Sequence, residues 1–383
     1  MGITDTTSSG VRNHTAIFAA NWCSSEDEPR TRPSALTLQF NIGYCEFDES
    51  IGHGGSMHRI AAGIILIAIA LGFSVGNLRA QSAPDKITLG TITLSLNNLP
   101  IYIAQDKGFF AKENIFVEAV ILNASTLAIP VLISGSTQLS ASSAMTTIRA
   151  VEKGAALKIV AGLTNAPVYD LYAAPKYKSF KDLKGATIGV SGLITSDTVI
   201  MKEMLKANGL EYPRDYSMRA MGSMPDRFRA IQTGNIAAGI LSPPYTFGAD
   251  DIGMVNLGAT AKYTPNFVQT VFNVRADWAQ DKKPLLIRFL RAILRGDQFI
   301  HNQKEETVAI IVKRFKYNEK HSEASWRYYI NNNAIPKDGE INAKGMDKVL
   351  QLLQEDGTLT APLPKAEKYV DMSYLAEARR TLQ

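Results

Sequence analysis

From Lys86 onward the chain alternates short apolar runs with stretches whose apolar residues recur every three or four positions, and this alternation confines it to sheets flanked by helices. "KITLGTI" reads as a strand, and "LPIYIAQDKGFFAKEN" as the helix behind it, ending near Gly108. The strand "VEAVIL", a helix over "STLAIPVLISGS", the strand "LSAS", the helix "AMTTIRAVEKG" and the strand "LKIVAGL" follow in turn. Strand and helix in succession give a largely parallel sheet covered on both faces.

The pattern changes at Pro175. "KYKSFKDLKG" is a charged connector, 187–190 a strand, and "SDTVIMKEMLKANGL" a helix with Ser196 or Asp197 as its N-cap and Gly209 past its end. "PDRFRAIQTGN" is a second helix, with Pro225 in its first turn, and "AAGILSPP" a strand and turn. This unit closes near "VQTVFNV", and from Trp278 onward the pattern is mainly helical. The expectation is an α/β chain of two lobes with mixed, mostly parallel sheets. The first lobe takes 86–175 plus 271–383, the second takes 176–270, and a ligand sits in the cleft beyond the carboxyl ends of the strands.

Ahead of this domain, Met57-His58-Arg59 opens an apolar run from Ile60 to Val75 that closes on Leu78-Arg79-Ala80. The run is shorter than the ~20 residues of a spanning helix, and its basic start and small-residue end have the shape of an export signal. The expectation is a signal over 57–80 cleaved near Ala80, a true start at Met57, and a non-structural prefix over 1–56. Both cysteines, Cys23 and Cys45, precede Met57. The exported chain then carries no thiol, as suits an oxidising compartment. Cleavage removes five arginines against seven acids and so moves the formal charge from +5 to +7. The basic residues are spread without a block, so nucleic acid is not expected as a partner.

The segments "LPIYIAQDKGFFAKENIFVEAV", "LKIVAGLTNAPVYDLYAAPKYKSFKDLKGATIGVSG" and "RFRAIQTGNIAAGILSPPYTFGAD" together resemble the solute-binding proteins of ABC importers. The branch is the one that groups aliphatic-sulfonate, taurine, nitrate and thiamine-pyrimidine-precursor binders. The resemblance runs from about Lys86 to Tyr329. It implies the type II periplasmic binding fold, a monomer that closes its lobes on a small organic solute, and an ABC permease in the inner membrane as partner.

The resemblance places ligand contacts in the loops after strands. Asn97 and Asn98 bring amides after the first strand, Ser142 and Ser143 hydroxyls ahead of a helix, and Asn165 an amide after "KIVAGL". In "GVSGLITSDT", Thr195 and Ser196 stand at a helix start, where free N–H groups and the dipole favour an oxygen. Pro244 stiffens the turn "ILSPPYTFG" and Tyr245 offers a ring and a hydroxyl. Arg227 and Arg229 flank Phe228 on one helix, so only one of them can face the cleft; Arg227 is the candidate. The best loops carry no Arg or Lys to clamp an anion, which leaves sulfonate, nitrate-like, pyrimidine and aromatic ligands all open.

The alternative is an enzyme of pyrimidine-precursor metabolism on the same fold. That enzyme class uses a histidine and a cysteine-rich iron-binding segment. Here no cysteine follows Cys45, and His301 and His321 lie in the late helical region, far in sequence from the cleft loops. No G-x-S-x-G elbow, dinucleotide fingerprint or phosphate loop occurs. Binding without catalysis, cofactor or metal is therefore expected.

Overall fold

Among the residues that the computed structural model describes, 83–122 and 125–382, the strands form two sheets of five. They belong to one compact unit, Ala80–Gln383. The expected prefix 1–56 and export signal 57–80 lie outside the described residues.

The first sheet is ordered β2-β1-β3-β10-β4, from β1 (Asp85–Thr91), β2 (Ile115–Ile121), β3 (Leu139–Ser143), β4 (Leu157–Thr164) and β10 (Thr270–Arg275). The second is ordered β7-β6-β8-β5-β9, from β5 (Asp170–Ala173), β6 (Thr187–Val190), β7 (Ser217–Ala220), β8 (Ala238–Leu241) and β9 (Val255–Ala259). Pairing is parallel among β2, β1 and β3 and among β7, β6 and β8. It turns antiparallel at β10 and at β5. Each sheet thus has four strands running one way and a single reversed strand, second from its edge. The reversed strand is in both cases the first one formed after the chain crosses from the other sheet, so the two lobes share one topology.

One expected boundary moves. Asp170–Ala173, placed with the first lobe, pairs on both sides within the second sheet. The crossing therefore lies between Thr164 and Asp170 rather than at Pro175. "DLYA" is apolar enough for either sheet, and the charged connector that suggested the boundary is a surface segment within the second lobe.

Burial follows the pattern that the sequence announces. β3 and β8 are buried along their whole lengths and β4 nearly so. The long helix Lys283–Asn302 buries Leu286, Phe289, Leu290, Ile293 and Leu294 on one stripe against the first sheet. It crosses the helix Leu99–Asp106 so closely that a Cβ on Gly296 would stand 2.7 Å from the carbonyl oxygen of Pro100, so no larger residue fits there. The C-terminal segment returns to β4, where Ile159 N–H donates to Tyr369 O at 2.9 Å and Asp371 N–H to Ile159 O at 2.8 Å.

Beside that long helix, Glu113 is buried between Arg291, at 2.5 Å, and Arg295. Burial alone would raise its pKa, but the two guanidiniums outweigh it and hold the carboxyl below its ordinary 4.5. A lowered folded pKa means stability that is present above the unfolded value and is lost as pH falls through the folded one. Glu113→Gln is expected to cost about 1–3 kcal/mol at pH 7 in urea unfolding. The gap between variant and parent should close as the pH is lowered below 4.5.

Candidate functional site

The carboxyl ends of β1, β3, β6 and β7 lead into one crevice, and loops from both sheets meet across it. Ser143 Oγ accepts from Thr146 N–H at 3.4 Å and so caps the helix Ala144–Glu152. The same hydroxyl shares a short hydrogen bond with Ser196 Oγ, at the start of the helix Ser196–Ala207. Arg149, on the helix that Ser143 caps, donates through Nη1 to Ile194 O at 2.7 Å, while its other nitrogens hold Asp356 and Thr358 Oγ1. Outside the cavity lining, His321 Nε2 lies 3.3 Å from Asp251, and its ring stacks on Phe247 with centroids 5.8 Å apart. The lobes are therefore closed on each other, and the cavity left between them is 70 Å³.

Seven of the ten expected site residues line that cavity: Asn97, Asn98, Ser142, Ser143, Thr195, Ser196 and Arg227. Several are already committed to the protein. Asn97 donates from Nδ2 to Tyr169 OH at 3.1 Å and accepts from Tyr329 OH at 2.8 Å. Asn98 Nδ2 donates to Thr93 O at 3.1 Å. Ser142 Oγ accepts from Ser140 Oγ at 3.1 Å and Asn273 Nδ2 at 3.0 Å. Thr195 Oγ1 donates to Gly192 O at 2.8 Å. The amides and hydroxyls chosen for ligand contact mostly shape the crevice. Thr195 also takes the N-cap position expected for Ser196 or Asp197.

Three candidates stand outside the cavity. Asn165 faces the C-terminal segment, donating from Nδ2 to Glu340 O at 2.5 Å and accepting from Asn342 N–H at 3.5 Å. Pro244 is the N-cap of the helix Tyr245–Asp251 and has no N–H to offer. Tyr245 begins that helix and packs its ring between Phe228, at 6.1 Å, and Tyr317, at 5.7 Å.

Arg227 is the residue that the structure most enlarges. It lies in the first helical turns of Met224–Gln232, is 2% exposed, and donates from Nε to Ile240 O at 3.2 Å and from Nη1 to Gly222 O at 3.0 Å. Among the described residues it forms no ion pair, so a buried positive charge faces the cavity. Gly189 lies beside it and is close-packed, since a Cβ there would collide with Ile236 Cδ1. Arg229 is exposed.

Asp197, Ser191, Tyr169, Gln269 and Thr270 also line the cavity and were not selected as ligand contacts from the sequence. Asp197, expected as the alternative N-cap to Ser196, is 5% exposed and accepts from Ser191 Oγ at 2.6 Å. Burial, with the Asp197 charge adding to it, pushes the Tyr169 phenol up, so it stays protonated at any physiological pH. Gln269 and Thr270 sit where the chain enters β10, and Thr270 pairs with Ser143 on one side and Thr164 on the other. Two polar residues inside the apolar run "FVQTVF" are the signal that marks them.

Residues 95–307 match the family model described as NMT1/THI5 like. The formylaminopyrimidine-binding protein of Halalkalibacterium halodurans is 24% identical over 65% of this chain and 78% of its own length. The 4-amino-5-hydroxymethyl-2-methylpyrimidine phosphate synthase of Uromyces fabae is 26% identical over 52% of this chain and 62% of its own. Among solved structures, the ligand-binding component of an ABC-type import system from Staphylococcus aureus superposes with a TM-score of 0.66 at 15% identity. That superposition covers 78% of this chain and all of the other, and shows the type II binding-protein fold.

The bridge through Arg149 generates a test that needs no ligand. A charged donor to a carbonyl contributes about 1.5–3 kcal/mol, so Arg149→Ala should speed amide exchange of residues 191–195 by roughly tenfold or more. Exchange unchanged in mass-spectrometric mapping would show that the loop is held by other contacts.

Proposed function

The chain belongs to the NMT1/THI5-like family, and from that premise we propose that it is the exported, substrate-binding component of an ABC importer, capturing a small organic solute between its lobes. The observation that carries this reading is the cavity lined from both sheets, with the chain among the described residues crossing between the lobes at 165–169 and 260–269. A pair of crossings lets the lobes part and close about them, and a ligand that touches both lobes is a contact the open form lacks. Binding and closure are then one linked equilibrium, and the closed surface is what a permease recognises.

Support for an import role also comes from the S. aureus import component of the same fold. The U. fabae synthase resemblance favours the enzymatic alternative, and retention of iron or turnover of a bound pyrimidine would establish it. The cavity lining offers neither histidine nor cysteine to that chemistry. In this reading the protein resides in the periplasm, delivered there by the 57–80 segment, and acts as a monomer.

The test is thermal unfolding of the protein against a panel of sulfonates, nitrate, pyrimidines and aromatic carboxylates, with native mass spectrometry of material purified without denaturation. A ligand at a hundred times its Kd should stabilise the protein by about 2.7 kcal/mol. No stabilisation across the panel and no co-purified small molecule would rule the receptor role out.

A further inference from the structure

The helix Glu319–Asn331 runs along the boundary between the lobes, and its two ends meet the second lobe in different ways. At the C-terminal end Tyr329 OH is bonded to Asn97 beside the first crossing, and Tyr328 OH donates at 3.4 Å to Asp170 Oδ1, in the strand that the crossing leads into. His321 lies near the other end, about 12 Å along the helix axis from Tyr329, where it touches Phe247 and Asp251 of the second lobe. Groups far from a hinge travel furthest when it opens, so the contacts at this end are the ones that parting of the lobes must break.

Tyr317 heads that set of contacts. The helix Lys304–Phe315 ends at Lys316, held at φ 60° in the left-handed conformation that a side chain disfavours. The next helix starts from Asn318, whose side chain accepts from His321 N–H at 2.8 Å. Tyr317 stands between these two caps, so its backbone is fixed from both sides. Its ring crosses the boundary and meets Tyr245 edge-on, with centroids 5.7 Å apart and planes at 81°, while the His321 ring lies 6.3 Å away on its own side.

The seat for this ring in the second lobe is a glycine. Gly248 lies inside the helix Tyr245–Asp251, where glycine weakens a helix. A Cβ on it would stand 3.4 Å from both Cε1 and the hydroxyl oxygen of Tyr317, and 3.7 Å from Phe228 Cε2. A larger side chain would take the space that the ring fills when the lobes are together. A residue unfavourable for its own helix is thus accounted for by a ring from the other lobe. Neither Tyr317 nor Gly248 lines the cavity.

Granted the opening and closing of the lobes set out above, we propose that Tyr317 is a strap that favours the closed form by seating on Gly248 between Tyr245 and His321. It acts on how often the lobes are together and not on which solute they hold.

The test reads the closed fraction in the intact, ligand-free protein by pulsed dipolar spectroscopy, with spin labels at Lys112→Cys and Lys206→Cys and with Cys23 and Cys45 replaced by serine. Tyr317→Ala should lower the ratio of short to long distances by about fivefold, the size of an edge-to-face aromatic contact in a two-state equilibrium. Gly248→Leu, which fills the seat while improving the helix, should lower it at least as far. Tyr317→Phe keeps the ring and should match the parent, and circular dichroism establishes the fold of each variant. A ratio unchanged by Tyr317→Ala and Gly248→Leu, or lowered as much by Tyr317→Phe as by Tyr317→Ala, overturns the strap while lobe closure stands. A single narrow distance in the ligand-free parent shows lobes that do not part, and closure and strap then fall together.

Discussion

A single amide holds the crossing on which the rest of the molecule turns. Asn97 gives its Nδ2 to Tyr169 OH in the first crossing, takes Tyr329 OH from the late helical region on Oδ1, and receives Thr164 Oγ1 on its backbone oxygen at 3.2 Å. The loop after β1, the end of β4, the crossing itself and the helix Glu319–Asn331 are thereby joined at one buried point. Tyr329 is fully buried, and burial keeps its phenol protonated, so it remains a donor to Asn97. With the crossing fixed on one side, relative movement of the sheets is reduced to opening about it, and a cavity of defined shape follows.

Closure then depends on contacts that bear no relation to ligand chemistry. Ser143 with Ser196, Arg149 with the Ile194 carbonyl, and His321 with Asp251 and Phe247 all connect the lobes, although only the first pair belongs to the cavity lining. This division of labour suits a receptor. Latches of modest strength set how far the closed form is populated, and the lining decides which solute completes it. Much of the lining is self-satisfied by hydrogen bonds, while the Arg227 guanidinium forms no ion pair among the described residues.

The α/β alternation, the two lobes and the crevice beyond the strand ends were legible because they rest on periodicity, which a sequence carries directly. The placement of β5 was not. Four residues of "DLYA" are too short to show which sheet they join, and the antiparallel pairing that claims them comes from β8 and β9, more than sixty residues away. The site was legible by loop but not by role. Small polar residues after strands were found, yet hydrogen-bond partners such as Tyr329 for Asn97 and Asn273 for Ser142 are distant in sequence. Arg227 was expected at the cleft and Asp197 at a helix start, but their burial rests on partners outside their own helices, such as the Ile240 carbonyl for Arg227 and Ser191 for Asp197.

The central claim is that occupation of the cavity and closure of the lobes are the same event. It is tested most directly by the distance between spin labels placed on each lobe through Lys112→Cys and Lys206→Cys, in a chain where Cys23 and Cys45 are replaced by serine. Both lysines are exposed and lie on helices packed with the first and second sheet respectively. With the compound that gives the largest thermal shift at saturation, pulsed dipolar spectroscopy should show a broad ligand-free distribution collapsing to one shorter distance. An unchanged distribution under saturating binding would contradict the account.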